Sequence, residues 1–257
     1  MPANANASNR PNFGWIPDRP DYRDHIYGAP RLQLQALPQS IDLRKQCPPV
    51  YDQGQLGSCT ANAIAGAIQF DRLKQGLKDF TPSRLFIYYN ERVMEHTVNS
   101  DAGAAIRDGV KSVAKQGDCP EAEWPYDITK FAVQPPPSCY KDALKYQVLS
   151  YQRVNRSLSQ MKACLAERFP FAFGISIYEN FPMNTKTGDI PVPGNSAATG
   201  EGHAMLIVGY DDARRVFLVR NSWGKTWGAH GYGTIPYDYL MDPGSSGDFW
   251  TFRILEA

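Results

Sequence analysis

The sequence predicts an α+β protein, with a helical lobe over about residues 50–140 and an antiparallel β lobe over about 145–257. Two observations carry this. Before Gly117, apolar residues recur at helical spacing, as in Ala63, Ala67, Phe70 and Leu73. Beyond Tyr146 they alternate, or run in short blocks bounded by Gly, Asp and Asn, which is strand patterning. Helices and strands segregated along one chain of 257 residues give α+β, as one large domain or two lobes with a substantial core.

Residues 1–36 stand apart. Pro11, Pro17, Pro20 and Pro30 forbid a long helix, yet Trp15, Ile16, Tyr22, Ile26 and Tyr27 are too apolar for a solvated tail. They read as an extended arm that packs on something, followed by a domain over 37–257. Ser58 is a good N-cap type, and a helix follows it from Cys59 to about Lys74, stopped by Gly76. Thr81-Pro82 reads as a cap and first turn for a second helix through Leu85, Phe86 and Tyr88 to near Glu95. Ile106, Val110 and Val113 share one face of a third helix, 104–116. The stretch with Glu123-Trp124-Pro125-Tyr126 and Pro135-Pro136-Pro137 reads as irregular. Strands follow at 146–154 and 171–177, around a short helix with Ser157 and Gln160 as a capping box. A loop over 188–202 leads to strands at about 203–210, 215–221, 231–235 and 249–254.

Composition narrows the functions. Lys plus Arg is 27 against 26 for Asp plus Glu, so no charge excess draws the chain to nucleic acid. No apolar run of 18 residues could span a bilayer. The polar stretch Met1 to Arg10 carries no readable export signal, so the cytoplasm is the default expectation, with export open. Five cysteines without a C-x-x-C spacing and four scattered histidines argue against a zinc site, and no metal or cofactor is expected. Asn6 and Asn155 open short glycosylation patterns.

The chemistry gathers on three segments. Gln53-Gly54-Gln55-Leu56-Gly57-Ser58-Cys59 puts a thiol in the first turn of a helix, where the dipole favours thiolate. His203 opens the apolar strand Ala204 to Tyr210, and Asn221 ends the next strand, Val216 to Arg220. Asp211-Asp212-Ala213-Arg214 turns between them, so the two residues are neighbours across a hairpin. Taken singly, a buried cysteine, a strand-edge histidine and a turn-forming asparagine are ordinary. Together they match a Cys-His-Asn arrangement: an imidazolium holds the thiolate, later protonates the leaving amine, and is oriented by the amide. The Gln53 amide and the Cys59 N–H then supply two donors for an oxyanion.

These segments resemble the papain-like cysteine peptidases over roughly residues 37–235, with the motifs in family order. Gln53 to Cys59 is similar to the family's nucleophile segment, Gly202-His203-Ala204 to its histidine strand, and Asn221-Ser222-Trp223-Gly224 to its asparagine segment. Pro38-Gln39-Ser40-Ile41-Asp42 resembles the start of the mature domain. The resemblance implies a two-lobed fold with the active site between the lobes, a protein or peptide substrate, and Trp223 shielding the His203–Asn221 bond. It also implies a pocket, with walls including Ala105, Gly174 and Gly202, for the second residue before the scissile bond, and Gly103 as a further substrate-binding position. Small walls predict a bulky apolar or aromatic residue there. Family pro-segments commonly run backwards through the cleft and are removed on activation. Two placements of the arm are therefore open: part of residues 10–30 on or near the cleft, restraining a zymogen, or an arm that merely covers apolar surface elsewhere on the lobes.

The chain also departs from the family pattern. Leu56 stands where a bridged cysteine is usual, and Thr60 where Trp is usual. Cys139 sits near a family disulfide position whose usual partner is missing. Cys119 and Cys139 flank the irregular segment, and either bridge across it or remain two buried thiols. Two other functions stand beside this one, the first using the same triad and the second a decayed site, against which the intact Gln53, Cys59, His203 and Asn221 set argues. A thiol acyltransferase of transglutaminase type would incorporate an amine faster than it cleaves peptide. A non-catalytic peptide-binding relative would fail to react with a thiol-directed probe.

Overall fold

A computed structural model describes residues 12–256 of the chain. The first eleven residues of the expected arm, Asn6 among them, lie outside the described residues. In chain order the elements are β1 (Ile26–Tyr27), α1 (Arg31–Gln35), β2 (Ser40–Asp42), α2 (Cys59–Lys74), α3 (Arg84–Glu95), α4 (Ile106–Gln116), α5 (Pro137–Ala143) and β3 (Val148–Val154). There follow α6 (Leu158–Ala166), β4 (Phe171–Tyr178), β5 (Ala198–Asp211), β6 (Val216–Arg220), β7 (Tyr232–Pro236), α7 (Tyr237–Met241) and β8 (Ser246–Leu255).

The strands form one sheet in the order β1-β3-β8-β4-β5-β6-β7, with β2 added along β5. Its pairings are antiparallel except the short β1–β3 pair. α2 packs against β5 and β8 on one side and against α3 and α4 on the other. It is buried from Cys59 through Arg72 because both of its faces are covered. That explains its alanines and Gly66: small residues let the sheet approach closely. α4 is amphipathic instead, with Ile106, Val110 and Val113 buried. The α+β, two-lobed expectation holds, and the N-terminus of α2 meets the β lobe where the lobes join.

Several local expectations need correction. α3 is capped by Ser83, whose hydroxyl accepts from Phe86 N at 3.2 Å, not by Thr81. Pro82 pairs with Pro120 instead. Ser157 is the N-cap residue of α6 but its side chain makes no cap bond, and Gln160 accepts from Ala29 N at 2.8 Å. The triple-proline stretch leads into α5, since proline fits a first helical turn. β5 begins at Ala198 rather than at His203, because Tyr178 of β4 pairs that far.

Candidate active site

Cys59 is the first residue of α2 and is fully buried. The Ser58 side chain caps none of the first-turn amides. Its hydroxyl contacts Tyr126 Oη at 2.5 Å and accepts from Asn62 Nδ2 at 3.1 Å. The Cys59 sulfur lies against the backbone of Ala204, the residue after His203, and of Gly14 in the arm. Burial pushes its thiol up to about 12, and those two backbone groups oppose the shift.

His203 and Asn221 meet as the hairpin requires: His203 Nε2 and Asn221 Oδ1 are 2.8 Å apart. Burial lowers the His203 pKa to about 4, against the Asn221 bond, which raises it. Nδ1, the other ring nitrogen, is buried with no hydrogen-bond partner among the described residues. Trp223 stacks on the imidazole, with ring centroids 4.8 Å apart and planes inclined by 32°. Asn221 is fixed in turn, donating from its backbone to Gly231 O at 3.0 Å and accepting from Ser222 N at 2.8 Å. Ser222 ties the two lobes: its hydroxyl donates to Gln53 Oε1 at 2.6 Å, and its carbonyl accepts from Gln53 N at 2.8 Å. Those bonds leave the Gln53 amide nitrogen to donate to Leu56 O and to Asn12 O, both at 3.0 Å.

The Asn12 carbonyl belongs to the arm, which lies along this site. Phe13 stacks edge-on against His203, with centroids 5.6 Å apart. Gly14 and Trp15 donate to Gly202 O at 3.0 and 2.9 Å, and Ala104 donates to Gly14 O at 2.7 Å. A Cβ at Gly14 would collide with the carbonyl of Gly57, so only glycine lets the arm pass this close to the nucleophile segment. Trp15 is buried, and its ring fills the space a side chain at Gly174 or Gly202 would need. Its indole donates to Asp248 Oδ2 at 3.1 Å.

Beyond Trp15 the arm is held by charge. Asp18 accepts from Trp250 Nε1 at 2.9 Å, Arg107 N at 3.0 Å and Arg153 Nη1 at 3.1 Å. Asp24 pairs with Arg107 at 2.5 Å, and Asp248 with Arg153 at 2.8 Å. Three carboxylates thus share two guanidiniums. Burial first, and the charge of Asp248 second, push Asp18 up to about 6.

The family model for papain family cysteine proteases matches residues 37–240. The chain belongs to that family. Xylellain, a cysteine protease from Xylella fastidiosa, has a solved structure 44% identical to it, with a TM-score of 0.88 over 96% of this chain and 98% of that one. A peptidase C1-like protein of Acanthamoeba polyphaga mimivirus is 39% identical over 94% of this chain and 86% of its own length. A recombinant stem bromelain precursor shares the fold at 20% identity, with a TM-score of 0.75 over 97% of this chain and 78% of that one. The protein is therefore a cysteine-type peptidase of the papain family, and procathepsins are among the structures sharing its fold.

Against this family background the predicted residues fall as follows. Cys59, His203, Asn221, Gln53 and Trp223 are gathered at the meeting of α2 with β5 and the β6 end. Gly174 and Gly202 line the Trp15 pocket, and Gly103 faces the arm backbone at Gly14. Ala105 lies beside the pocket as the N-cap residue of α4, donating to Glu95 Oε1 at 2.7 Å; its neighbour Ala104 makes the arm contacts. Sequence reasoning missed Asp248, Ser222 and Tyr126. Ser222 was in plain view beside Asn221, but Asp248 had no local signal. Among the described residues no helix is long and apolar enough to cross a membrane.

Proposed function

We propose that the chain is a thiol endopeptidase that works through Cys59, His203 and Asn221, with residues 12–24 of its arm restraining it. The observation that carries this reading is the His203–Asn221 bond of 2.8 Å beside a cysteine at the first turn of α2. Cys59 thiolate attacks the scissile carbonyl, whose oxygen is held by the Cys59 N–H and the Gln53 amide. His203 gives its proton to the leaving amine, and an acyl-enzyme remains. Water activated by His203 then releases the acid. The arm supports the assignment of the oxyanion donors, because the Asn12 carbonyl already takes the Gln53 amide at 3.0 Å.

Trp15 in its pocket identifies the polarity of the arm. A substrate enters with its second residue before the scissile bond in that pocket, and the bond follows. In the arm, the residues at Cys59 precede Trp15, so the chain crosses the nucleophile in the opposite sense. The arm blocks the site without presenting a peptide in the cleavable direction. Cleavage of a peptide library by the Trp15→Ala chain, set against amine incorporation by the same protein, tests the peptidase reading. Peptide hydrolysis faster than amine incorporation is the expected result.

The pocket sets the substrate preference. Its walls are Gly174 and Gly202, and its floor carries the Asp248 carboxylate, which accepts an indole N–H from the arm. A bulky aromatic residue is expected second before the scissile bond, with tryptophan favoured over phenylalanine. Asp248→Ala, which leaves no acceptor, should erase that margin, about tenfold for one hydrogen bond to a charged group. Gly174→Phe fills the volume Trp15 occupies. It should loosen the arm and move the preference to small side chains, read as a change in kcat/KM across a Gly, Leu, Phe and Trp series. Equal cleavage of all four by the parent chain would rule the pocket out.

A further inference from the structure

Outside the cleft, a small apolar cluster of Phe86, Cys119, Cys139 and Ala143 stands apart from the main core. Its two cysteines have no part in the catalytic arrangement. Both are buried free thiols, near enough for one to hydrogen-bond the other. With the Glu123 carboxylate, their sulfurs form a group whose ligand atoms all lie within 4.8 Å of one another. Cys139 Sγ also faces Glu123 O at 3.8 Å.

Two chemistries could use such a group. A dication needs both sulfurs as thiolates and a fourth ligand. Among the described residues the group stops at three donors, one of them the exposed Glu123. Burial pushes both thiols toward the protonated form, and the neighbouring Asp118 adds to this at Cys119. A finished disulfide carries no charge and needs no fourth partner, only two cysteines close enough to meet in bridge geometry.

We propose that Cys119 and Cys139 close a disulfide when the chain folds under oxidising conditions, and that the bond tethers the segment buttressing the oxyanion side of the active site. Oxidised glutathione serves as the oxidant class. One cysteine thiolate attacks it, forming a mixed disulfide and releasing one glutathione. The second cysteine attacks that mixed disulfide, the Cys119–Cys139 bond forms and a second glutathione leaves. Two electrons pass to the reagent, and the two thiol protons end on the released glutathiones. Both thiols are buried in the folded chain, so exchange takes place before the segment closes over them.

The tethered loop reaches the active site through Tyr126. Its hydroxyl donates to Gln53 O at 3.0 Å and contacts Ser58 Oγ at 2.5 Å. Trp124 O accepts from Ser83 Oγ at 2.7 Å, and Glu121 pairs with Arg84 at 2.8 Å. A bond across its ends limits the opening of the whole segment, and with it the freedom of the Gln53–Ser58 stretch. Closing a loop of this size raises Tm by roughly 5–10 °C in a chain of this length.

The test refolds the full-length Cys59→Ala chain in a glutathione redox buffer, which removes the cleft thiol as a competitor. The product is unfolded without reductant, alkylated and mapped by mass. The expected result is one linked peptide pair carrying Cys119 and Cys139, with Cys47 and Cys164 alkylated. Reductant should lower its Tm by the stated amount and leave the Cys119→Ser variant of the same chain unchanged. Alkylation of all four cysteines, or a link between any other two, overturns the proposal. So does one equivalent of zinc retained from the buffer with both thiols free. Equal loss of Tm on adding reductant to the Cys119→Ser chain removes the tether. None of these outcomes depends on the peptidase reading.

Discussion

Replacing Trp15 by alanine is expected to raise the initial rate of the full-length chain on small peptides at least tenfold. Truncating a large buried aromatic costs about 3–5 kcal/mol. Here the loss falls on arm docking, because Trp15 belongs to the arm and its indole bond to Asp248 goes with it. A docking equilibrium weakened by that amount shifts by about 10²–10⁴, and the observed gain is capped by the fraction already open. The same variant changes the acid–base state of the site. In the docked form burial pushes the Cys59 thiol up to about 12, so it stays almost wholly protonated at pH 8. Its alkylation rate should climb tenfold per pH unit from 6 to 9, with no plateau. With the arm displaced, solvent and an imidazolium partner favour the thiolate, and the rate should level off near neutral pH. A rate on peptides equal to the parent's, with the same steep pH slope, would make the arm a structural cover.

Cys59→Ser is expected to remove nearly all peptide hydrolysis, by roughly 10⁴-fold or more in kcat, while the chain folds as before. Sulfur to oxygen leaves the volume almost unchanged, so the loss is chemical. His203→Ala should be comparably damaging, since both the stabilising cation and the proton donor vanish. Asn221→Ala should cost less, about 10–100-fold. Trp223 still stacks on the imidazole at 4.8 Å and continues to restrict it when the amide is gone. These measurements are best made on the Trp15→Ala background, where docking does not mask the chemistry. Retention of most activity in Cys59→Ser would end the mechanism proposed above.

The parts of the molecule legible in the sequence are those whose determinants lie close together along it. α2 could be read to its last residue because small and apolar residues at helical spacing run without interruption from Cys59 to Lys74. His203 and Asn221 could be paired because a four-residue turn fixes their hairpin. The path of the arm could be anticipated only from the family resemblance, and its own residues did not show it, for the opposite reason. Its direction is set by Trp15 meeting Asp248, 233 positions away, and by Asp18 meeting Arg107, Arg153 and Trp250. Two helix caps were misplaced as well: α3 takes its cap from Ser83 rather than Thr81, and Gln160 of the Ser157–Gln160 box accepts from the distant Ala29 N–H instead.

The claim that a restrained thiolate at Cys59 is the working centre is tested most directly by a thiol-directed epoxide or iodoacetamide probe at pH 7. The site and rate of labelling are followed by mass for the parent and for the Trp15→Ala chain. The account predicts a single label at Cys59 in both, at least tenfold faster once Trp15 is gone and lost when His203 is replaced by alanine. Labelling of Cys59 at equal rates in all three chains, or a fast label on any other cysteine, would contradict it.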